Sequence, residues 1–489
     1  MQNYYIGIDL GTSSVKLMLV DECGKILNSV TKQYPIIFPK QGWAEQEPEE
    51  WWKQTAKGIK ELVKGFDTSL IKGMGCGGQM HGLVVLDKND QVIRPCILWN
   101  DGRTAEEVDY LNNTIGKKTI SKYTANIAFA GFTAPKLLWM KKHEPKNFAK
   151  INKIMLPKDY INYKLTGVHC CDYSDASGIL LLDVKNKKWS DKMCEICSVK
   201  KEWLPKLFES YDVVGKAACK ELPFLKDVLV VCGAGDNAAA AIGTNTIADG
   251  KCNISIGTSG TIFISSDTFK SDKFNALHSF AHASGKYHLM GVALSAASCN
   301  SWFCKDILGD NNYNKLQSEI PQERLGTNRV YYLPYLMGER SPINDVDARS
   351  CFIGMDMATT KEDMILAVLE GVAFAMRDSL EVAKSLGIVI KKSNLCGGGA
   401  KSKLWQQIFA NVLNLQIDIL EAEEGPGFGA AMLAMVADGK YKDIESCAKK
   451  LVKVKYSVKP DKKLVKLYEE KYKTYKQLYP ALKNIFTQL

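Results

Sequence analysis

The sequence predicts an α/β protein built from two copies of one domain. Three observations support this: a strand, a Gly-Thr-Ser turn and a second strand occur twice, the two occurrences lie about half of the 489-residue chain apart, and helical patterns follow both. An internal repeat of this length is too long for a solenoid, whose units have ~20–50 residues, and is typical of a duplicated domain.

The duplicated pattern is a hairpin around a polar loop. The first copy has the turn DLGTSS at residues 9–14, and the second has GTSGT at residues 257–261. Short apolar runs flank each turn, as expected of buried strands. The predicted strands are Tyr4–Ile8, Val15–Asp21, Cys252–Ile256 and Ile262–Ser265.

Helical patterns and a turn-rich segment complete the predicted domain plan. Hairpin strands combined with helices predict sheets of mixed strand direction with helices on both faces. Turn residues at 244–252 predict a boundary between an N-terminal domain, residues 1–246, and a C-terminal domain, residues 247–489. The predicted helices are Pro48–Val63, Lys361–Leu386 and Ser402–Leu413.

The composition is that of an ordinary globular protein, with 46% hydrophobic and 24% charged residues. It excludes intrinsic disorder, and the apolar runs fall short of the ~20 residues that span a bilayer. The N-terminus lacks a basic leader, so we expect a cytoplasmic location rather than a signal peptide. The 15 cysteines have scattered spacing and predict reduced thiols. Cys194 and Cys197 form a CxxC that we interpret as two neighbours on a helix rather than half of a zinc site.

The formal net charge of +10 comes partly from a lysine-rich C-terminus, around residues 449–476. Apolar residues recur at helical spacing between these lysines, which favours a solvated helix face. Nucleic-acid binding is the alternative, but no recognisable reading motif accompanies the charge. We therefore expect neither nucleic acid nor a membrane as a partner.

The Gly-Thr-Ser loops are candidate phosphate sites. Small residues let the chain approach a phosphate closely and direct backbone N–H groups and hydroxyls at it. One such loop is commonly only a tight turn, but two copies favour phosphate binding. Asp9 precedes the first loop and is a candidate ligand of Mg²⁺, or alternatively a turn-forming aspartate that accepts backbone hydrogen bonds.

Asp236 and Asn237 begin an alanine-rich helical pattern after a strand and a glycine-rich turn. Two interpretations of Asp236 stay open. Its carboxylate is either the N-cap of the helix or a general base that accepts a proton from a substrate hydroxyl during phosphoryl transfer.

Two further glycine-rich loops are candidate ligand sites. Gln79, Met80 and His81 lie in the loop GGQMHG, where Gln and His side chains can bind sugar hydroxyls. The alternative is a structural loop whose histidine is bonded to backbone. Gly398 and Gly399 end a strand and open a helix, where a nucleotide can bind. The chain has no GxxxxGK[ST] motif and no protein-kinase catalytic loop, so a different kind of ATP site is needed.

Taken in order, these motifs resemble those of the FGGY carbohydrate kinases over nearly the whole chain. The family implies two ribonuclease-H-like domains of the actin-type ATPase fold, with sugar and ATP in the cleft between them. The N-terminal domain would bind the sugar and the C-terminal domain ATP. The segments that carry the resemblance include IGIDLGTSSVK at 6–16, GQMHG at 78–82, ILWNDGR at 97–103, GFTAPKLLW at 131–139, GDNAAAAIG at 235–243, IGTSGT at 256–261 and GGGAKSKLWQQIFANV at 397–412.

The resemblance also implies roles for individual residues. Asp236 would be the general base, and Asp9 would assist catalysis by placing Mg²⁺ and the phosphates. The implied sugar-binding residues are Gln79, Met80, His81, Asp236 and Asn237, and the implied nucleotide-binding residues are Gly11, Thr12, Ser13, Gly257, Thr258, Ser259, Gly398 and Gly399.

The implied reaction is ATP-dependent phosphorylation of a ketopentose, D-xylulose to D-xylulose 5-phosphate, with ATP and Mg²⁺. Glycerol kinases of the family are expected to carry an Arg-Glu pair where this chain has Gln79, Met80 and His81, so glycerol is disfavoured. The alternatives are a kinase for another ketose or polyol and a sugar or nucleotide sensor without turnover. A homodimer is left open.

Overall fold

The computed structural model describes residues 2–421 and 425–489. The strands are β1 (Tyr4–Leu10), β2 (Ser14–Asp21), β3 (Ile26–Gln33), β4 (Glu45–Gln46), β5 (Ile71–Gly78), β6 (Val84–Leu86), β7 (Cys96–Ile97), β8 (Lys153–Met155), β9 (Cys170–Asp172), β10 (Leu182–Asp183), β11 (Lys188–Trp189), β12 (Lys206–Phe208), β13 (Val213–Lys216), β14 (Leu229–Val231), β15 (Ala234–Gly235), β16 (Cys252–Ile256), β17 (Gly260–Ser266), β18 (His278–Ala281), β19 (Tyr287–Ala293), β20 (Tyr331–Leu333), β21 (Cys351–Ile353), β22 (Lys392–Cys396), β23 (Gln416–Leu420) and β24 (Val454–Val458).

Helices alternate with these strands along the chain. The α-helices are α1 (Pro48–Leu62), α2 (Ala105–Asp109), α3 (Lys117–Thr124), α4 (Thr133–His143), α5 (Pro145–Phe148), α6 (Pro157–Thr166), α7 (Tyr173–Ala176), α8 (Asp191–Cys197), α9 (Asp236–Gly243), α10 (Ala297–Ser301), α11 (Tyr313–Ser318), α12 (Lys361–Ser385), α13 (Lys403–Leu413), α14 (Gly425–Ala437), α15 (Ile444–Leu451) and α16 (Lys462–Phe486).

The chain divides into two units, each assembled from separate segments. The predicted division into a sugar-binding domain, residues 1–246, and an ATP-binding domain, residues 247–489, stays a prediction. The second half of the chain also contributes two segments to the first unit. Unit 1 consists of Met1–Ile247, Ser279–His288 and Glu424–Val452, and unit 2 of Ala248–His278, Leu289–Glu423 and Lys453–Leu489.

Both units contain the same arrangement of five strands. In unit 1 the order is β2-β1-β5-β14-β13, and in unit 2 it is β17-β16-β22-β23-β24. The successive pairings have the same directions in both orders. The first pair of strands is antiparallel, the second and third pairs are parallel, and the fourth pair is antiparallel. The predicted hairpins and the mixed strand direction are therefore confirmed, and the three predicted helices form within one residue of their expected ends as α1, α12 and α13.

The sheet of unit 1 is buried on both faces, as predicted. Along β1, Ile6 and Ile8 join a core with Trp51 of α1, whereas Tyr5 joins a second core with Met432 of α14. Alternate side chains of a strand point to opposite faces, so one strand supplies both cores. Helices therefore cover the sheet on each side.

Helix α14 approaches this sheet closely enough to require glycine. A Cβ on Gly7 of β1 would lie 2.0 Å from the carbonyl oxygen of Gly427, and one on Gly75 of β5 would lie 2.4 Å from that of Ala430. Such contacts are far shorter than van der Waals separation. The run of small residues in α14 and the glycines of the strands thus allow backbone to pack on backbone.

The lysine-rich C-terminus forms the amphipathic helix α16. Its buried face carries Tyr468, Tyr472 and Tyr475, whose rings surround Phe374 at centroid distances of 5.0–6.1 Å. Most of its lysines are exposed, while Lys471 is buried and pairs with Glu370. The solvated helix face predicted for this segment is present.

The two cysteines of the CxxC motif lie on one helix, as the sequence predicts. All 15 cysteines are free thiols, and Cys194 and Cys197 are buried neighbours on α8. Within the described residues, no group of three or more His, Cys, Asp or Glu side chains could hold a metal ion. Across residues 2–421 and 425–489, every helix is too short or too polar to span a membrane.

Candidate active site

The carboxyl ends of three parallel strands in unit 1 bring the acidic candidates to one edge. Asp9 of β1 lies beside Gly77 of β5, and Gly77 lies beside Ala234 of β15. Adjacent strands are ~4.8 Å apart, so this row spans about 10 Å of backbone. Asp236 follows Ala234 by two residues, at the start of α9. The sheet register thus gathers residues that are far apart in sequence.

Asp9 is a partly buried carboxyl group with a perturbed pKa. Burial raises its pKa to about 7, with a further contribution from the negative charge of Asp236, while Lys16 opposes the shift. Burial disfavours the charged form, and a nearby like charge adds to that cost. The ionised Asp9 is therefore a group that a cation would stabilise.

Asp236 is the first residue of α9 and is not its N-cap. Gly235 occupies the N-cap position of α9, and it makes no side-chain hydrogen bond to the helix. The Oδ1 atom of Asp236 instead accepts hydrogen bonds from the N–H of Asn237 at 2.6 Å and from its Nδ2 at 2.9 Å. Burial raises the pKa of Asp236 to about 6, against these two bonds, which lower it. The N-cap interpretation is wrong, and a carboxylate of this pKa suits a general base.

The first Gly-Thr-Ser loop is tied to its surroundings through both backbone and side chain. The N–H of Gly11 donates to the carbonyl of Ser14 at 3.0 Å, and Thr12 Oγ1 accepts from Nε1 of Trp99 at 2.9 Å. Ser13 at the tip is exposed. These hydrogen bonds fix the turn, and its tip is exposed to solvent.

The second loop has the same form in unit 2. The N–H of Gly257 donates to the carbonyl of Ser259 at 3.0 Å. The carbonyl of Thr258 accepts from the N–H of Ala296 at 2.9 Å and from Oγ of Ser298 at 2.7 Å. Thr258 and Ser259 are exposed, so this loop also presents hydroxyl groups from a fixed backbone.

The third glycine cluster differs from its prediction. It follows β22, but Gly398 and Gly399 lie in a single 3-10 turn, Gly398–Lys401, and α13 begins only after this turn, with Ser402 as its N-cap. Gly398 is exposed with open space at its Cβ position, whereas a Cβ on Gly399 would lie 2.4 Å from the side chain of Ile256. Gly398 has room for a ligand, and Gly399 also serves packing.

Gln79, Met80 and His81 leave β5 at the same edge as Asp236. Met80 packs against the segment before Asp236, because a Cβ on Gly235 would lie 3.0 Å from Met80 Sδ. Nε2 of Gln79 donates to Oε1 of Gln46 at 3.1 Å, and the buried Oε1 of Gln79 has no hydrogen-bond partner. Nδ1 of His81 lies 3.0 Å from the carbonyl oxygen of Gly178. Met80 therefore packs against the Asp236 turn, while Gln79 and His81 contact Gln46 and Gly178.

Sequence reasoning did not identify the residues that support the Asp236 turn. Oγ of Ser174 accepts the N–H of Gly235 at 3.2 Å and donates to Oδ2 of Asp172 at 2.5 Å. Lys158, with no exposed side-chain surface, pairs with Asp172 at 3.2 Å and with Asp159 at 2.7 Å. The sequence signal for Asp172 and Ser174 is the run DYSDASG at residues 172–178, which mixes small and polar residues.

The donors at this edge fit a magnesium ion. Mg²⁺ is commonly held by one or two carboxylates, with phosphate oxygens and water completing its shell. Burial and the negative charge of Asp236 raise the pKa of Asp9, and a bound cation would offset both effects. Because no larger group of ligating side chains occurs in the described part of the chain, the remaining ligands would come from phosphate and water.

Comparison with known proteins gives the same family from sequence and structure. The N-terminal domain of the FGGY family of carbohydrate kinases matches residues 4–243, and its C-terminal domain matches residues 252–437. A xylulose kinase of Escherichia coli (strain K12) is 38% identical over 483 residues, which cover 98% of this chain and 99% of that protein. The chain belongs to the FGGY family of carbohydrate kinases.

Solved structures of two different sugar kinases are equally similar in fold. A xyloylose kinase from Brucella ovis has a TM-score of 0.94 at 36% identity, covering 99% of this chain and 100% of that chain. A gluconate kinase from Lactobacillus acidophilus also has a TM-score of 0.94, at 28% identity, with full coverage of both chains. Backbone similarity alone therefore does not select the sugar, and the side chains of the site must.

Proposed function

We propose that this FGGY carbohydrate kinase transfers the γ-phosphoryl group of ATP to the C5 hydroxyl of D-xylulose, forming D-xylulose 5-phosphate and ADP. The observation that carries the proposal is the carboxyl edge of unit 1, where Asp236 and Asn237 follow β15 and Met80 packs against the same turn. The xylulose kinase of Escherichia coli, similar along almost the whole chain, supports this choice of sugar.

Asp236 is the general base of the proposed reaction. Its carboxylate accepts the proton of the C5 hydroxyl as the hydroxyl oxygen bonds to the γ-phosphorus. The bond from that phosphorus to the β,γ-bridging oxygen breaks, and its electron pair leaves with ADP. With a pKa of about 6, the group is largely ionised near pH 7.5 and is still basic enough to take the proton. The hydrogen bonds from Asn237 fix Oδ1 and direct Oδ2 to the hydroxyl.

Gln79 and His81 are the proposed sugar-recognising side chains. Leaving a buried amide oxygen without a donor is unfavourable, and a sugar hydroxyl would satisfy Oε1 of Gln79. The ring of His81, oriented by the contact of Nδ1 with the Gly178 carbonyl, would bind a second hydroxyl.

Asp9 and the glycine loops are the proposed nucleotide ligands. Mg²⁺, when bound, neutralises phosphate charge, and Asp9 would hold it directly or through water. The two Gly-Thr-Ser loops, at residues 11–13 and 257–259, would donate hydrogen bonds to phosphate oxygens, and the turn at Gly398 and Gly399 would contact adenosine. We further place the reaction in the cytoplasm, where the 15 free thiols would stay reduced.

The decisive experiment is an ADP-release assay over a panel of acceptors: D-xylulose, D-ribulose, glycerol, D-gluconate and no sugar. We expect D-xylulose to give the highest kcat/KM, and Asp236→Asn to lower kcat with it by ~10²–10⁴. A higher kcat/KM with gluconate or another acceptor would contradict the choice of sugar. No ADP release with any acceptor would favour a sensor without turnover.

A further inference from the structure

Lys136 is a buried cation held by carbonyl groups. It lies on α4 with no exposed side-chain surface, and its Nζ donates to the carbonyls of His81 at 2.8 Å and Gly131 at 2.7 Å. Among the described residues, no carboxylate forms an ion pair with it. Burial lowers the pKa of this ammonium to about 7. A lysine is expensive to bury without a paired carboxylate, and the two hydrogen bonds and the negative charge of Asp101 oppose that cost.

The backbone of His81 has a rare conformation that the hydrogen bond from Lys136 stabilises. Its φ of 71° lies in the left-handed region, which residues with a Cβ rarely adopt. Its carbonyl oxygen accepts from Lys136 Nζ and also from Oγ1 of Thr133 at 3.1 Å. A carbonyl has two lone pairs, and both are engaged by the first turns of α4. The peptide group after His81 is therefore fixed in orientation from one helix.

The imidazole ring of His81 also packs against the start of α4. The ring of Phe132, the N-cap residue of α4, lies 4.8 Å from it by centroids. The Gly178 carbonyl fixes Nδ1 at 3.0 Å, and a Cβ on Gly178 would lie 2.3 Å from the ring. The ring thus fits a slot that tolerates little rotation, provided that the backbone below it keeps its left-handed turn.

We propose that Lys136 is a positioning residue for sugar recognition: it holds the His81 carbonyl, which keeps the turn left-handed and aims the imidazole at the sugar. The inference rests on the proposed function, because it assigns sugar binding to His81. Lys136 itself would touch no substrate. Its effect on the sugar must therefore pass entirely through His81.

The test is a double-mutant cycle with Lys136→Met and His81→Ala, read by calorimetry with D-xylulose and with ADP. Methionine keeps the length of the side chain and removes the buried charge, so the fold should tolerate it. We expect Lys136→Met to weaken D-xylulose binding about tenfold and to leave the Kd of ADP within about twofold. In the His81→Ala background, Lys136→Met should change the Kd of D-xylulose less than about twofold.

The matched control is Lys142→Met, on the same helix but at the surface, where the lysine pairs with Glu106. It should change neither Kd. Thr133→Val removes the second hydrogen bond to the same carbonyl and should give a smaller loss, also absent in the His81→Ala background. If Lys136→Met does not fold, a double-mutant cycle with Thr133→Val and His81→Ala tests whether α4 positions His81 for the sugar.

The outcomes separate the inference from the proposed function. An equal loss from Lys136→Met with and without His81, or no loss at all, overturns the positioning role alone. If His81→Ala itself leaves the Kd of D-xylulose unchanged, sugar recognition by His81 fails, and the inference fails with it.

Discussion

In the first hairpin Asp9 stands opposite Lys16 across β1 and β2, whereas in the second hairpin the corresponding residue, Ser255, stands opposite Thr261. Both residues precede the glycine of a Gly-Thr-Ser loop by two positions. The backbone arrangement is the same, but one copy carries a charged pair and the other two hydroxyl groups. Duplication of the fold thus supplied two equivalent turns, and side-chain chemistry made them unequal.

The difference extends to the neighbouring strands. Beside Asp9, the edge of unit 1 adds Asp236, a second carboxyl group with a raised pKa. Beside Ser255, the pairing residue of β22 is Cys396, and the following turn consists of glycines. We infer that unit 1 handles the proton and the cation, while unit 2 contributes neutral donors. Substitutions in each unit test this division.

Asp236→Asn should produce the largest loss. The amide keeps the size of the side chain but cannot accept the proton, so kcat should fall by ~10²–10⁴ while ADP still binds. Steady-state assays give kcat, and calorimetry gives the Kd of ADP. Asp306→Asn, at an exposed position in unit 2, is the control and should retain activity. A near wild-type kcat for Asp236→Asn would mean that Asp236 is not the general base.

Substitutions at the paired positions Asp9 and Ser255 compare the hairpins directly. Asp9→Asn should lower kcat by about 10²-fold, because phosphate charge is then less well neutralised. It should also raise the Mg²⁺ concentration needed for half-maximal rate. Ser255→Ala should stay within about twofold in both measurements. Equal losses in the two variants would mean that the hairpins contribute alike.

Thr258→Val tests the neutral loop. It removes one exposed hydroxyl donor while preserving shape, so the KM for ATP should rise about fivefold, as expected for the loss of a hydrogen bond worth about 1 kcal/mol. The KM for D-xylulose should not change. Thr487→Val, near the C-terminus, serves as the control in the same assays. An increase confined to the sugar KM would contradict a phosphate role for this loop.

The smallest effect is a pH-dependent gain in stability for Asp9→Asn. The folded protein raises the pKa of Asp9 from 3.8 to about 7, so it retains a proton that the unfolded chain has lost. Stability therefore falls as pH rises through this range and is lowest, for this group, above about 7. Asparagine removes that cost, and we expect the Tm at pH 8 to rise by about 2–4 °C.

The contrast between pH values provides the check on this last prediction. In thermal melts the gain from Asp9→Asn should be much smaller at pH 4.5 than at pH 8. Ser255→Ala should show no such pH dependence. A gain of the same size at both pH values would assign the effect to packing instead of charge.

Local patterns predict the hairpins and long helices well because their residues alternate or recur within a few positions. Tyr4–Ile8 and Cys252–Ile256 are recognisable as strands from their own residues alone, and α12 ends within one residue of its prediction. The roles of Asp9, Asp236 and His81 stay predictions from motif and resemblance, although the register of β1, β5 and β15 brings their strands together.

The support of the site was not predictable, because it depends on partners far along the chain. Ser174 holds Gly235 across 61 positions, and Lys136 holds His81 across 55. Buried lysines such as Lys136 and Lys158 also contradict the expectation that lysine is exposed. The N-cap interpretation of Asp236 failed for a local reason: the adjacent Asn237 donates to its carboxylate, and Gly235 takes the cap position.

The packing of α14 on the glycines of β1 and β5 has a consequence for biosynthesis. Residues 1–247 emerge from the ribosome long before residues 425–437, the helix that covers one face of their sheet. At ~5–20 residues per second, the delay is roughly 10–40 s, during which the nascent chain keeps that glycine-lined face uncovered. The first half of this protein is therefore not an independent folding module, and a fragment that stops before α14 should be captured by chaperones or aggregate.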